Sequence, residues 1–485
     1  MPQELAHQPA QDDAMTPLCV DLDGTLVKSD TLHDSLLVLL RTHPLKAFQL
    51  PLQVLKGKAA FKSFITDSVS LDVAHLPYNH TLLRYLQAER ARGREIYLAT
   101  GADIRLAQRV ASYLGIFTGV FGSEGAVNLT GKNKLERLYN GLKTDSFDYI
   151  GNATPDLPLL THSQHPMVAN PTMQLRMAMR AQGITPAQTF EERVQPFKGF
   201  LKAIRLHQWA KNVLIFVPLL LSHALVLPRI SAAILAFFCF SLTASATYIV
   251  NDLLDIEADR RHARKRKRPF AAGDLAASSG IVISLLFLCA ALAGAFRLPR
   301  EFFGWLLLYL VTTLSYSTYL KRVPIVDVVV LSSLYTLRLL AGGAASQTEI
   351  SHWLAGFSIF LFLALAFVKR FAELENLRIQ GASPKNGRGY LMTDIEQLRS
   401  FGTASSYAAV VIFAIYISRP DVTDLYRKPG YLWLIVPIMI LWLSRVWLLA
   451  SRGELDEDPV VFAITDRMSL LMGVATVIVA IVAAL

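Results

Sequence analysis

Hydrophobic and polar residues are distributed differently in the two parts of the chain. Residues 1–200 mix apolar and polar positions in short runs, whereas residues 209–485 contain repeated apolar stretches long enough to cross a bilayer. We count nine of these stretches and predict nine transmembrane helices. They lie at about 210–227, 231–250, 276–296, 302–320, 324–345, 352–369, 404–419, 431–450 and 467–485. The pattern therefore predicts a soluble domain followed by an all-α membrane domain.

Basic residues are concentrated in alternate gaps between the apolar stretches. The gaps after the second, fourth and sixth stretches hold 260–268, 321–322 and 369–388, which are rich in Lys and Arg, and the opposite gaps are poorer. This asymmetry places the basic gaps in the cytoplasm. Residues 1–17 are polar and show no signal-peptide pattern, so we expect the N-terminal domain to lie on the same side of a bacterial cytoplasmic membrane.

Composition and charge narrow the function classes. The chain is 53% hydrophobic and 18% charged, and its three cysteines do not suggest a disulfide framework or a cysteine-based zinc site. The net charge of +10 comes largely from residues beside apolar segments. We therefore predict the lipid bilayer as a partner and no nucleic-acid partner.

The second apolar stretch ends in an acidic motif. Its sequence is Asn251-Asp252-Leu-Leu-Asp255-Ile-Glu-Ala-Asp259, and on a helix these spacings bring the three aspartates to one face. Such carboxylates repel one another unless a cation joins them, and Mg²⁺ prefers oxygen ligands. We therefore predict that Asp252, Asp255 and Asp259 bind Mg²⁺, which in turn binds a diphosphate. The downstream Lys265, Lys267 and Arg268 are predicted to hold phosphate oxygens.

These residues resemble the NDxxDxxxD motif of the UbiA superfamily of intramembrane prenyltransferases, and Lys267-Arg268-Pro269 followed by Gly273 is similar to that family's basic loop. The resemblance covers about residues 201–485 and implies Mg²⁺-assisted loss of diphosphate from a prenyl substrate. Many members carry a second DxxxD motif after the sixth span. Here Lys369, Arg370 and Glu373 stand in that region. More cations and fewer carboxylates favour a substrate with phosphate groups at two ends.

Three further segments resemble the branch of the superfamily that contains decaprenyl-phosphate phosphoribosyltransferases. They are Arg205 to Asn212, Tyr316 to Arg322, and Glu457-Asp458-Pro459 before Phe462 and Asp466. The branch implies transfer of 5-phosphoribose from 5-phosphoribosyl 1-diphosphate to polyprenyl phosphate. The alternative is transfer of a polyprenyl group to an aromatic acceptor similar to 4-hydroxybenzoate. The predicted substrate-binding residues are Lys211, Asn212, Asn251, Lys265, Lys267, Arg268, Tyr316, Lys321, Lys369, Arg370 and Glu373.

The soluble part begins with a strand that delivers two acids. In Leu18-Cys-Val-Asp21-Leu-Asp23-Gly24-Thr25 the alternation of a strand points Asp21 and Asp23 the same way, so one can attack a phosphoryl group while the other transfers a proton. The segment resembles motif I of haloacid dehalogenase-like phosphatases. Thr100, Lys134 and the segment Asn152 to Asp156 follow as motifs II, III and IV, although that family usually has an acid in place of Asn152.

The resemblance implies an α/β Rossmann-like domain over residues 18–180, after a polar tail at 1–17, with catalytic Asp21, Asp23, Thr100 and Lys134. It also implies a Mg²⁺ site at Asp21, Asp23, Asn152 and Asp156. Residues 30–90 are predicted to form a helical cap and 181–200 a linker. The phosphatase is expected to trim a phosphate from the transferase product. Two alternatives remain: a phosphorylation-driven transporter, and a non-catalytic scaffold.

Overall fold

The computed structural model describes residues 15–124, 127–142, 146–192, 196–381, 388–455 and 459–485. The chain divides into two compact units. The first holds the residues up to Ile204 together with Ile249–Ile283, and the second holds Arg205–Tyr248 and Ser284–Leu485. The segment with the acidic motif therefore groups with the soluble domain.

A six-stranded parallel sheet forms the centre of the soluble domain, with the strand order β3-β2-β1-β4-β5-β6. The strands are β1 (Leu18–Val20), β2 (Ile96–Asp103), β3 (Gly119–Ser123), β4 (Asp148–Gly151), β5 (Pro166–Ala169) and β6 (Gln188–Phe190). Strand β1 pairs with β2 on one side and β4 on the other, and all three of its residues are buried. The predicted α/β sheet is confirmed, and its order reverses at β1, where such folds bind ligands.

Helices connect and cover these strands. They are α1 (Thr31–Thr42), α2 (Pro44–Ala47), α3 (Leu50–Leu55), α4 (Lys58–Ser68), α5 (His80–Ala91), α6 (Ile104–Leu114), α7 (Lys132–Gly141), α8 (Leu157–His162), α9 (Met173–Ala181) and α10 (Pro196–Ile204). The predicted cap at 30–90 is too long, because Leu82 and Leu86 of α5 pack into the core with Leu18 and Val20. That helices α1 to α4 form the cap stays a prediction.

The predicted linker at 181–200 also differs from the structure. Gln188–Phe190 pair with β5 as the last strand of the sheet, and α10 begins at Pro196. The turn residues Gly183 and Pro186 lie between α9 and that strand. A short strand with little periodicity is hard to distinguish from a polar connection in sequence alone.

Long helices dominate the rest of the described chain. They are, with shorter helices between them, α11 (Val217–Leu221), α12 (Leu227–Leu254), α13 (Ile256–Arg261), α14 (Ala277–Ala295), α15 (Arg300–Thr318), α16 (Val326–Ser346), α17 (His352–Ile379), α18 (Ile395–Ile417), α19 (Pro420–Thr423), α20 (Ile435–Ser451), α21 (Pro459–Thr465) and α22 (Arg467–Ala484). Among the described residues, seven helical segments are long and apolar enough to cross a membrane. They contain α12, α14, α16, α17, α18, α20 and α22.

The prediction of nine spans is therefore not confirmed. The first predicted span consists of a 3₁₀ segment, Leu206–Phe216, followed by the short α11, which has Pro218 in its first turn. The fourth, α15, is 19 residues long, but it begins with Arg300 and Glu301, and Tyr, Thr and Ser interrupt its apolar run. Apolar runs marked these regions in the sequence, but neither provides a long, uniformly apolar helix.

Candidate active sites

The residues predicted as phosphatase motifs lie together at the carboxyl edge of the sheet. Asp21 follows β1, and its carboxylate lies 2.9 Å from Nζ of Lys134 on α7. The same ammonium lies 3.3 Å from a carboxylate oxygen of Asp156, after β4, and donates to the Tyr149 hydroxyl at 2.9 Å. Because parallel strands end together at this edge, residues more than a hundred positions apart meet around one cation.

Backbone groups fix the second acid of this cluster. The amides of Asn152 and Ala153 donate to Oδ2 of Asp156 at 3.0 and 3.1 Å. The tight turn after Asp23 requires glycine, because Gly24 has a φ of +75° and a Cβ there would lie 2.0 Å from the Asn152 side chain. The two loops therefore pack directly on each other, and Asn152 lies beside the motif I acids.

Burial changes the titration of these groups. Burial raises the pKa of Asp21 to about 6, against the opposing charge of Lys134. Burial also raises the pKa of Asp23 to about 8, and the charges of Asp30 and Asp21 add to this. Burial lowers the pKa of Lys134, but the carboxylates of Asp21 and Asp156 outweigh it and raise that pKa overall. Asp21 and Asp23 therefore hold a proton more readily than exposed carboxylates do.

A cavity of about 800 Å³ opens over these acids. Asp21, Asp23, Lys134, Asn152 and Asp156 line it. The structure adds the basic side chains of Lys28, His33 and Lys62, which sequence reasoning missed, together with Ala276–Ser278 around the start of α14. No motif marks these additions, because the folding of the cap and the later loop brings them there.

Thr100 lies on β2 and is fully buried. Its hydroxyl accepts a hydrogen bond from the amide of Ala102 at 3.0 Å, while the neighbouring Gly101 lines the cavity. Lys62 donates to the Gly101 carbonyl and to Oδ1 of Asn128 at 2.7 Å. The predicted catalytic role of Thr100 stays a prediction.

The acidic motif spans a break between two helices. Asp252 lies on α12, Asp255 precedes α13, and Asp259 lies on α13, so the expected single helix is interrupted at Asp255. Nη1 of Arg268 lies 3.0 Å from a carboxylate oxygen of Asp252 and 2.7 Å from one of Asp259. Asp255 instead pairs with Arg41 of α1 at 2.9 Å. Two of the three predicted ligands therefore converge on one cationic atom.

The donor set fits Mg²⁺ in chemistry. Asp252 and Asp259 offer the carboxylate oxygens that Mg²⁺ prefers, and both contact one guanidinium nitrogen of Arg268. Within the described ranges, no group of three or more His, Cys, Asp or Glu side chains is arranged to hold a metal ion. The Arg268 side chain is about a quarter exposed, so part of it is accessible to solvent.

The lysines that follow the acidic motif are exposed to solvent. Lys265 and Lys267 lie on a 3₁₀ turn and are exposed, and Lys202 donates to the Lys267 carbonyl at 2.6 Å. Asn251 is half-buried on α12, and its carbonyl accepts from the amide of Asp255 at 2.9 Å. The exposed lysines are available to phosphate groups at this end of the motif.

In the second unit, Arg370 is the centre of a buried charge network. It lies on α17, which continues beyond the predicted end of the sixth apolar stretch. Nε donates to Asp327 at 2.5 Å, Nη1 donates to Glu373 at 2.9 Å, and Nη2 donates to the Tyr316 hydroxyl at 3.2 Å. Asp327, fully buried on α16, is an acid that sequence reasoning missed. These contacts give Arg370 a structural role, and its contact with substrate stays a prediction.

The remaining predicted substrate ligands also lie in the second unit. The Asn212 amide donates to Ser241 and its oxygen accepts from Nε of Arg338, both within 2.9 Å, inside the protein. Lys211 lies over the ring of Tyr335 at 5.7 Å. Lys321 and Lys369 are half-buried. Glu457 and Asp458, two residues of the third branch-like segment, lie outside the described residues.

Comparison with known proteins identifies the family of the membrane domain. Residues 213–471, more than half of the chain, match the UbiA prenyltransferase family. The chain belongs to that family. The resemblance predicted from the acidic motif is therefore confirmed, and the chain is a transferase by family.

Two relatives match different lengths of this chain. An uncharacterized protein, y4nM, of Sinorhizobium fredii is 37% identical over 463 residues, which are 95% of this chain and 90% of that protein. A decaprenyl-phosphate phosphoribosyltransferase of Mycobacterium tuberculosis is 33% identical over 286 residues, or 57% of this chain and 91% of the relative. The first relative therefore extends over both parts of this chain.

A solved structure gives a further comparison for the UbiA domain. A UbiA homologue from Archaeoglobus fulgidus, bound to DMAPP and Mg²⁺, is 18% identical, covers 58% of this chain and 98% of its own, and has a TM-score of 0.45. A UbiA homologue from the same organism has also been solved bound to GPP and Mg²⁺.

The charge network of this UbiA domain leads to a stability prediction. Substituting Asp327→Ala leaves the buried Arg370 without its main partner, and breaking one side of a buried pair costs about 3–5 kcal/mol. We expect a clearly lower Tm for the detergent-purified variant in a thermal unfolding assay. Asp421→Ala, which removes an exposed pair with Arg419, is the control and should change Tm little. Equal Tm values for the two variants would contradict the structural role.

Proposed function

We propose that the membrane domain transfers 5-phosphoribose from 5-phosphoribosyl 1-diphosphate to polyprenyl phosphate. The observation that carries the proposal is the 33% identity with a decaprenyl-phosphate phosphoribosyltransferase along 91% of that relative's length. The acidic motif with its basic turn supports the same reaction, because both substrates carry phosphate groups that need cations.

In the proposed reaction, a phosphate oxygen of the lipid attacks the anomeric carbon of the sugar. A new carbon–oxygen bond forms, the bond between that carbon and the diphosphate breaks, and diphosphate leaves with the electron pair. Asp252, Asp255 and Asp259 would hold Mg²⁺, which when bound would supply positive charge to the departing diphosphate. Arg268, released from the two aspartates, and the exposed Lys265 and Lys267 would bind phosphate oxygens.

We further propose that the N-terminal domain removes the 5-phosphate from the lipid-linked product. Asp21 attacks the phosphorus, the bond to the ribose oxygen breaks, and Asp23 gives that oxygen a proton. Water then hydrolyses the aspartyl phosphate while Asp23 accepts a proton. Lys134 holds Asp21 in place at 2.9 Å, and Lys28, His33 and Lys62 supply positive charge along the cavity. Asp21, Asp23, Asn152 and Asp156 would hold Mg²⁺ there, which would screen the phosphoryl charge.

The wall of the cavity supports a substrate at the membrane. Ala276–Ser278 belong to the start of α14, one of the seven candidate spans, and they line the same cavity as the phosphatase acids. A substrate anchored by a polyprenyl chain presents its phosphorylated sugar at such a boundary, whereas a soluble substrate has no need of this position.

The test uses the full-length protein in nanodiscs with Mg²⁺, polyprenyl phosphate and ribose-labelled 5-phosphoribosyl 1-diphosphate. We expect labelled lipid to form with release of diphosphate, followed by release of inorganic phosphate. Reactions without lipid or with a chelator are the controls. If no labelled lipid forms, and polyprenyl diphosphate with 4-hydroxybenzoate instead gives a prenylated aromatic, the acceptor assignment is wrong.

A further inference from the structure

Ion pairs join the phosphatase domain to the segment that carries the acidic motif. Both belong to the first compact unit. On the phosphatase side the participants lie in or near the cap, and on the other side they lie between residues 255 and 274. The pairs are Lys28 with Asp274, Asp34 with Arg260, Arg41 with Asp255 and Asp72 with Arg261. Four ion pairs of this kind indicate that the two segments pack against each other and are not connected by the chain alone.

The pair between Asp34 and Arg260 is buried on both sides. Their atoms lie 2.8 Å apart, and the two side chains are 1% and 4% exposed. Arg260 also donates to the Ser29 hydroxyl at 3.0 Å and to the Ala271 carbonyl at 3.1 Å, and Ser29 donates to Asp34 at 2.7 Å. Removing one partner leaves a buried charge unpaired, so this contact holds α13 firmly against α1.

The pair between Arg41 and Asp255 reaches the motif itself. Nη1 of Arg41 lies 2.9 Å from the Asp255 carboxylate and donates to the carbonyl of Leu254, the last residue of α12, at 3.3 Å. Asp255 lies between α12 and α13, where its amide donates to the Asn251 carbonyl at 2.9 Å and its carbonyl accepts from the Asp259 amide at 2.8 Å. A guanidinium bound to both the side chain and the adjacent carbonyl fixes the direction of this carboxylate.

Helix α1 links the two candidate sites. At its first residue, the amide of Thr31 donates to Oδ1 of the predicted catalytic Asp23 at 2.7 Å. Near its other end, Arg41 holds Asp255. The helix has 12 residues, and Asp34 and Ser35 within it are buried. One rigid element thus contacts a predicted acid of the phosphatase and a predicted metal ligand of the transferase.

We propose that α1 is a positioning element of the transferase, in which Arg41 orients Asp255 and Asp34 anchors α13 through Arg260. The phosphatase domain then serves the transferase even when its own reaction does not take place. This inference rests on the proposed function for its kinetic test and on the contacts of α1 for its structural test. Arg41 is a positioning residue, because it acts through the Asp255 carboxylate.

The kinetic test compares full-length Arg41→Ala, Arg41→Lys and Arg84→Ala, the last being an exposed arginine on α5. Loss of a group that orients a metal ligand typically weakens metal binding by about 10–100-fold. We expect Arg41→Ala to raise the Mg²⁺ concentration for half-maximal phosphoribosyl transfer by about tenfold or more. The KM for polyprenyl phosphate should stay unchanged, and Arg41→Lys should recover part of the loss. An unchanged or lower Mg²⁺ requirement overturns the positioning role.

A second measurement does not depend on the reaction. Hydrogen–deuterium exchange of the full-length protein should be faster across residues 251–262 in Arg41→Ala and Asp34→Asn than in wild type and Arg84→Ala. Unchanged exchange in both variants overturns the inference. If wild type transfers no phosphoribose but the variants still exchange faster, the proposed reaction fails while the positioning contact stands.

Discussion

Substituting Asp252→Ala is expected to abolish formation of labelled lipid while leaving the phosphatase reaction on a soluble phosphate ester in place. Asp252 is 2% exposed, and it shares the Nη1 atom of Arg268 with Asp259. Without it, Arg268 and Asp259 remain, but a Mg²⁺ held by the motif would lose one of its predicted ligands. Loss of one preorganised electrostatic group costs about 10²–10³-fold in rate, so label should fall close to the background.

The matched control is Asp424→Ala, which removes an exposed acid elsewhere in the membrane domain. We expect it to transfer label at the wild-type rate. Radiolabelled lipid is extracted and quantified for each variant over the same range of Mg²⁺ concentrations. Transfer by Asp252→Ala at the rate of the control would mean that the motif is not the centre of the reaction, and it would favour the scaffold alternative.

The residues predicted for the phosphatase motifs lie close together because each motif follows or flanks a strand of one parallel sheet, while their catalytic roles stay predictions. Asp21, Lys134 and Asp156 come together, since the carboxyl ends of β1 and β4 lie at the same edge. The order of the motifs was enough to predict this, because strand topology converts sequence order into position. The UbiA family could also be predicted from the sequence, because Asn251, Asp252, Asp255 and Asp259 have the spacing of that family's motif.

Contacts between distant residues were not predictable in the same way. Arg41 belongs to an ordinary amphipathic helix, and nothing in its neighbourhood indicates a partner 214 positions along the chain. Asp327 follows Val326 near the start of an apolar run, where one acid resembles an interfacial residue. Only the packing of α16 against α17 shows that it balances Arg370. The interruption at Asp255 was also missed, because helical spacing continues through it.

Substituting Asp21→Asn is expected to stop removal of the 5-phosphate without stopping lipid labelling. An amide cannot attack phosphorus, and loss of a covalent nucleophile costs on the order of 10⁴-fold or more in rate. The variant keeps the size of the side chain, so Lys134, Tyr149 and Asp156 can stay hydrogen-bonded to one another. The lipid product should therefore accumulate with its phosphate, which mass spectrometry of the extracted lipid distinguishes from the dephosphorylated product.

Asp67→Asn is the control, because this exposed acid of α4 pairs with Arg105 rather than with the motif residues. It should release phosphate as wild type does. Dephosphorylation by Asp21→Asn at the control rate would exclude Asp21 as the nucleophile. Loss of lipid labelling in Asp21→Asn, with an unchanged Tm, would instead show that the acids of the N-terminal site influence the transferase. Helix α1 offers a structural connection for such an effect, because it contacts Asp23 at one end and Asp255 near the other.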